Sequence, residues 1–247
     1  MSYVTVEDTS FVDLSLLKIL HLKSIISPKI DLSLLLYGCP NLEVLKVRRL
    51  DCETKGKFII LPKLVRVSID GPLLSLETFK DVEVLKFDYV MPIFQPNLDL
   101  NFDFQNLVQL QLEVALDWLL VLKVLNHCPK LQSLVINIYK TLVRYYQTLN
   151  LPGYEEDVWP YPPIVPACIS SHLKTFRLKD YSGSKDEFHF VRYMLENAKY
   201  LQTMKIRFDC GYVTMGTMKI RTLSQENDMK RELYSIKRSY TCTLSFE

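Results

Sequence analysis

One spaced hydrophobic phrase, apolar-x-x-apolar-x-apolar, constrains what this chain can fold into, because it recurs eight times. The copies are Leu17/Leu20/Leu22, Leu42/Leu45/Val47, Leu64/Val67/Ile69, Val82/Leu85/Phe87, Leu107/Leu110/Leu112, Leu131/Leu134/Ile136, Leu173/Phe176/Leu178 and Leu201/Met204/Ile206. Their first positions lie 25, 22, 18, 25, 24, 42 and 28 residues apart. The second half of each phrase has period two. In the sixth copy Leu134 and Ile136 point one way while Ser133, Val135 and Asn137 point the other. That is a short strand with one buried face, and a single such unit cannot hide that face from water.

A phrase of this kind at intervals of roughly 20–29 residues is the signature of a leucine-rich repeat. The sequence therefore predicts an α/β fold, a leucine-rich-repeat solenoid with a curved parallel sheet. Strands are expected near 19–23, 44–48, 66–70, 84–88, 109–113, 133–137, 175–179 and 203–207. Helical segments are expected outside the sheet, over 31–37 and 116–126. Gly38-Cys39-Pro40-Asn41-Leu42 and His127-Cys128-Pro129-Lys130-Leu131 read as one device used twice. A helix stops, proline prevents its continuation, and leucine opens the next strand. The 18-residue unit leaves little room for helix around Leu73 to Phe79.

A solenoid is a binding surface before it is anything else, and its concave side is the usual ligand face. Lys46, Lys86, Arg177 and Lys205 take the same outward place in four units, and they are the candidate protein-binding face. Solvated sheet surface is the plainer reading of the same four side chains, and both stay open.

Between the sixth and seventh phrases lies Glu155-Glu156-Asp157-Val158-Trp159-Pro160-Tyr161-Pro162-Pro163-Ile164-Val165-Pro166. Its prolines forbid a helix and favour an extended path. One reading is a docking peptide for an aromatic-lined groove. The other is a strap that lays Trp159 and Val165 on the repeat core, as expected of a residue as often buried as tryptophan. Farther on, 185–198 is amphipathic with Phe188, Val191, Leu195 and Ala198 on one stripe, 223–236 is a further helix, and 241–246 alternates as a closing strand. Together they cap the end of the stack.

From Trp159 onward the text resembles the FBD domain found at the C-terminus of many plant F-box proteins with leucine-rich repeats. The likeness rests on Trp159, Pro162, Val165-Pro166, Cys168-Ile169, Leu173-Lys174-Thr175-Phe176-Arg177-Leu178, Gly183, Glu187, Tyr193-Met194-Leu195-Glu196-Asn197-Ala198 and Leu201-Gln202-Thr203-Met204-Lys205-Ile206. The tail from Lys237 to Phe246 resembles the family's closing strand, with Lys237 and Arg238 as departures. The resemblance implies a leucine-rich-repeat region over 1–145 and an FBD domain with strap and cap over 146–247. It also implies a protein-binding module, the substrate-recognition part of an F-box-type ubiquitin ligase. Met1 to Leu16 does not resemble the Leu-Pro-rich helical F-box that docks a Skp-type adaptor. An F-box-less relative that binds a target without delivering it is therefore the alternative, and a Skp-type adaptor is not an expected partner.

Composition removes other classes. Thirty Lys and Arg against 28 Asp and Glu give a net charge of +2, without the concentrated basic patch expected for nucleic acid. The apolar run near Leu116 to Leu125 is broken by Asp117 and Lys123, so no membrane span is expected. Seven glycines offer no phosphate-cradling loop. The six cysteines form no Cys-x-x-Cys pair, and they read as free, mostly buried thiols of an intracellular protein, cytoplasmic or nuclear. His21, His127, His172 and His189 lack metal-ligand spacing, so no metal and no cofactor are expected. Cys168 and His172 are four apart, yet neither an orienting third group nor an oxyanion site accompanies them. An enzyme is accordingly not expected, and Arg144, Tyr145 and Tyr146 read as packing rather than a base-stacking platform.

Overall fold

The computed structural model describes residues 13–26, 31–51, 59–70, 74–90, 100–114, 118–139, 159, 162–209, 212–214, 217–219 and 222–247. The acidic run 155–157, Arg144 to Tyr146, Cys52 and Cys210 lie outside them. Every phrase forms a strand: β1 (Ile19–Ile26), β2 (Val44–Asp51), β3 (Arg66–Ile69), β4 (Val84–Val90), β5 (Gln109–Val114), β6 (Ser133–Ile138), β7 (Thr175–Tyr181) and β8 (Thr203–Phe208). A small antiparallel hairpin, β9 (Tyr212–Thr214) and β10 (Thr217–Lys219), stands apart, and the pattern did not foretell it. The closing strand is β11 (Thr243–Phe246). Strands β1 to β8 and then β11 make one nine-stranded sheet in chain order, and every pairing within it is parallel.

The register shows why the phrase is spaced as it is. Leu20, Leu45, Val67, Leu85, Leu110, Leu134, Phe176, Met204 and Leu244 are directly paired neighbours in one continuous ladder. Leu110, Leu134 and Phe176 are 2%, 1% and 1% exposed. The edge unit departs, its Leu17, Leu20 and Leu22 being partly buried because no described strand covers that side, and Phe87 of the fourth phrase is partly buried too. The first leucine of the phrase sets the entry into each strand. Leu42, Leu64, Val82, Leu107, Leu131 and Leu201 each donate a backbone N–H to the carbonyl three residues earlier. The carbonyl just ahead of one strand then accepts two N–H groups from the next unit, as Val108 does from Gln132 and Ser133.

The connections are short. Helix α1 (Leu32–Tyr37) starts at Asp31, whose carboxylate accepts from the Ser33 N–H at 2.9 Å. Helix α2 (Trp118–Asn126) buries Val121, Leu122, Val124 and Leu125. Both end in the Cys-Pro device, where the thiols of Cys39 and Cys128 donate to the carbonyls of Leu35 and Val124. The shortest unit holds only a 3-10 turn, Leu76–Phe79. Three strands bend where Ser24, Arg49 and Asp180 adopt positive φ at matching sixth positions. The bend at Arg49 is held by the Asp70 carboxylate, which accepts the Arg49 N–H at 2.7 Å.

A helix not foreseen from the prolines, α3 (Ala167–Ser171), begins directly after Pro166, the N-cap, whose carbonyl accepts the Ile169 N–H at 3.0 Å. Helix α4 (Lys185–Asn197) buries Glu187, Phe190, Val191, Tyr193, Met194 and Leu195. Its core stripe is thus centred on Phe190 and Met194, and Phe188, expected in that stripe, is only partly buried. Phe190 is the hub of an aromatic cluster. It stacks on Trp118 at 4.3 Å and meets Trp159 and Phe176 edge-on at 5.8 and 6.0 Å. Trp159 is 3% exposed, and Val165 packs against the core, so at these two residues the segment is a strap.

Helix α5 (Leu223–Ser235) closes the end, with a capping box at Thr222 and Gln225 and Leu233 fully buried. Lys230 lies 5.4 Å from the Phe208 ring centre, and Phe208 stacks on Phe246 at 5.4 Å.

Two substitutions test this arrangement by chemical denaturation. Leu134→Ala removes a ladder side chain flanked on both sides, and the expected loss is about 2–5 kcal/mol. Trp159→Ala empties the seat against Phe190 and Tyr193, and about 3–5 kcal/mol is expected.

Candidate protein-binding face

Alternation puts the residues between the ladder positions on the opposite face of the sheet. The central row there runs His21, Lys46, Ser68, Lys86, Gln111, Val135, Arg177, Lys205 and Ser245, each paired with the next. The four basic residues singled out in the sequence therefore share one row. The same row brings His21 beside Lys46, a neighbour that sequence spacing within units would have shown.

The row is electrostatically divided. At its C-terminal end Glu247 places one carboxylate oxygen 3.1 Å from Lys205 Nζ and 3.2 Å from Arg177 Nη2. A hydrogen bond from Lys205, reinforced by the nearby guanidinium of Arg177, holds the Glu247 carboxyl below its ordinary range. Next to this clasp Arg207 grips both oxygens of Asp180 at 3.0 and 3.1 Å. One row nearer the strand starts, Thr175 donates to Ser133 at 2.9 Å. At the other end Lys46 and Lys86 are exposed and form no ion pair among the described residues. Four like residues in sequence are thus two free cations and two clasped ones, and Glu247 gave no repeat signal that could have announced this.

The remaining chemistry is structural. Cys168 is fully buried, its thiol donates to the Leu125 carbonyl, and burial pushes it up to about 12. His172 is exposed, so the two do not form a nucleophile and base. Burial also raises Cys128 and Cys39, and all four described cysteines are free and buried. His127 pairs with Asp103 at 2.9 Å on the surface. No cluster of metal-ligating side chains occurs among the described residues. Among them, too, no helix is long and apolar enough to cross a membrane.

Two residues of the FBD-like text, Gly183 and Glu187, meet in one turn. Glu187 is 0% exposed, and its carboxylate accepts from the Ser182 N–H, the Ser182 hydroxyl and the Gly183 N–H at 2.6, 2.9 and 3.1 Å. Gly183 has φ +79°, and a Cβ there would strike the side chain of Met229 on α5. These residues join β7 to α4 and let the end helix pack close.

A depressed carboxylate makes the clasp a feature of neutral pH: it is complete above the ordinary carboxylate range and lost as pH falls through the lowered pKa. A carbon-detected NMR titration is expected to find Glu247 titrating below a free glutamate, and Lys205→Met is expected to move it back up.

Residues 162–206 match the family model described as FBD. A putative F-box/FBD/LRR-repeat protein of Arabidopsis thaliana is 30% identical over 154 residues, covering 59% of this chain and 31% of that protein. A putative FBD-associated F-box protein of the same plant is 35% identical over 152 residues, 58% of this chain and 32% of its own. A third Arabidopsis relative, an F-box/FBD/LRR-repeat protein, is 27% identical over 258 aligned positions, 83% of this chain and 60% of its own. The chain thus spans between about a third and three-fifths of the length of these curated relatives. No solved structure gives a significant match. The FBD match covers α3, β7, α4 and the start of β8 within the continuous sheet, and with these relatives it makes the chain similar to the plant F-box/FBD/LRR-repeat proteins.

Proposed function

We propose that this chain is a leucine-rich-repeat solenoid that binds a protein target, in the role of the substrate-recognition part of an F-box-type ubiquitin ligase. The observation that carries the reading is the face itself. Nine parallel strands present one continuous row of outward side chains, while helices and turns cover the other side. Stacked repeats use such a surface to hold partners. The buried thiols accord with an intracellular setting, cytoplasmic or nuclear, where cysteines stay reduced.

The four named basic residues divide the labour. Lys46 and Lys86 contact the target, and Arg177 and Lys205 hold the C-terminal part of the face together through Glu247. Exposed substitutions in such places usually leave stability within about 0.5 kcal/mol, so binding and folding separate cleanly.

The test is a pull-down from plant extract with the 247-residue polypeptide, the variant Lys46→Glu/Lys86→Glu and the control Lys130→Glu, which lies in the turn before β6. The expected outcome is a set of proteins retained by wild type and control and lost by the face variant. Identical captured sets for all three overturn the reading. This polypeptide by itself is expected to leave a purified Skp-type adaptor unbound, since its described helices all serve the sheet or its end.

A further inference from the structure

Several cations of the face surround one groove of about 740 Å³ across β1 to β5. Lys23, Lys46, Arg48, Arg66, Lys86 and His21 line it, and among the described residues no carboxylate does. The carboxylate at its margin, Asp70, lies in an adjoining recess and accepts the Arg49 N–H. Lys46, Arg66 and Lys86 form no ion pair among the described residues. Lys46 and Lys86 stand two strands apart with Ser68 between them, roughly 9.6 Å along the row, and like charges so placed repel one another and draw an anionic partner.

The groove is also apolar in a definite place. Ile19, Val44 and Val84 occupy the row beside Arg66, and Ile19 is 56% exposed. That row lies two residues, roughly 6.6 Å, from the row of His21, Lys46 and Lys86. An extended peptide running across the strands between the two rows sends alternate side chains to each. Five strands span four spacings, roughly 19 Å, which about six extended residues cover. Single-stranded nucleic acid needs aromatic platforms for its bases, and among the described residues no phenylalanine, tyrosine or tryptophan lines the groove.

The geometry points to an extended peptide of alternating acidic and apolar residues as the ligand of this groove, with its carboxylates on Lys46 and Lys86 and its apolar side chains on Ile19, Val44 and Val84. The C-terminal half of the face is excluded, because Glu247 already occupies Arg177 and Lys205. This inference rests on the protein-binding reading above and names the chemistry of the target segment.

The test is fluorescence anisotropy with a fluorescein-labelled peptide of alternating glutamate and valine, its lysine-for-glutamate counterpart, and labelled oligouridylate. The glutamate peptide is expected to bind, more weakly as salt rises. Lys46→Gln/Lys86→Gln is expected to weaken it about tenfold or more, equivalent to about 1.4 kcal/mol. Arg66→Gln is expected to weaken it less, and Arg177→Gln/Lys205→Gln to leave it unchanged. Circular dichroism melts establish that each variant is folded. Absence of binding, equal affinity for the two double variants, or preference for oligouridylate overturns the inference. A target captured from extract through Lys46 and Lys86 that the glutamate peptide does not displace refutes the peptide chemistry alone and leaves the protein-binding reading intact.

Discussion

The apolar ladder from Leu20 to Leu244 is the interaction on which everything else in this molecule depends. Each unit contributes only a few buried side chains, too few to offset the entropy of ordering its backbone. The stacked neighbour completes the burial, and the parallel register makes every unit bury the same positions. Stability therefore comes from unit-to-unit contact along the sheet. The rest follows from keeping that register: the turn ahead of each strand, the shared carbonyl between units, and the Cys-Pro stops that aim the chain into the next strand.

The stack needs an end as well as a middle. Residues of the FBD match supply part of it through two unlike devices. One is aromatic: Phe190 gathers Trp118, Trp159 and Phe176, tying α2, the strap, β7 and α4 into one core. The other is polar: a buried glutamate takes three donors of the preceding turn, and a glycine leaves room for α5. A polar group taken wholly out of water is costly unless hydrogen-bonded, which explains why Glu187 is surrounded by donors. Phe190, Gly183 and Glu187 are therefore structural joints.

On the open face, electrostatics rather than packing sets the differences between units. Lys46 and Lys205 hold equivalent places, yet only Lys205 has a carboxylate against it. A solvent-exposed pair of this kind adds little to stability. Its consequence is to neutralise two cations of the open face. On the first strands, by contrast, Lys46, Arg66 and Lys86 stay unpaired among the described residues, and apolar side chains are interleaved with them.

The sequence alone determined the repeating architecture, because a strand with one apolar face and no means of burying it has a single economical solution, stacking in register. All the main strand starts, the helices at Asp31, Trp118, Lys185 and Leu223, and the burial of Trp159 were legible in spacing and in proline placement. The alternation of strands likewise put Lys46, Lys86, Arg177 and Lys205 on one side. Only the tertiary structure decided three things. Phe190 rather than Phe188 became the hub of α4, since the direction from which Trp118 and Trp159 approach is not written in local periodicity. The small hairpin β9–β10 and the helix α3 formed in segments whose hydrophobic pattern is too short to read. The pairing of Glu247 with Arg177 and Lys205 spans 70 and 42 residues, and such contacts exist only once the sheet has brought strand ends together.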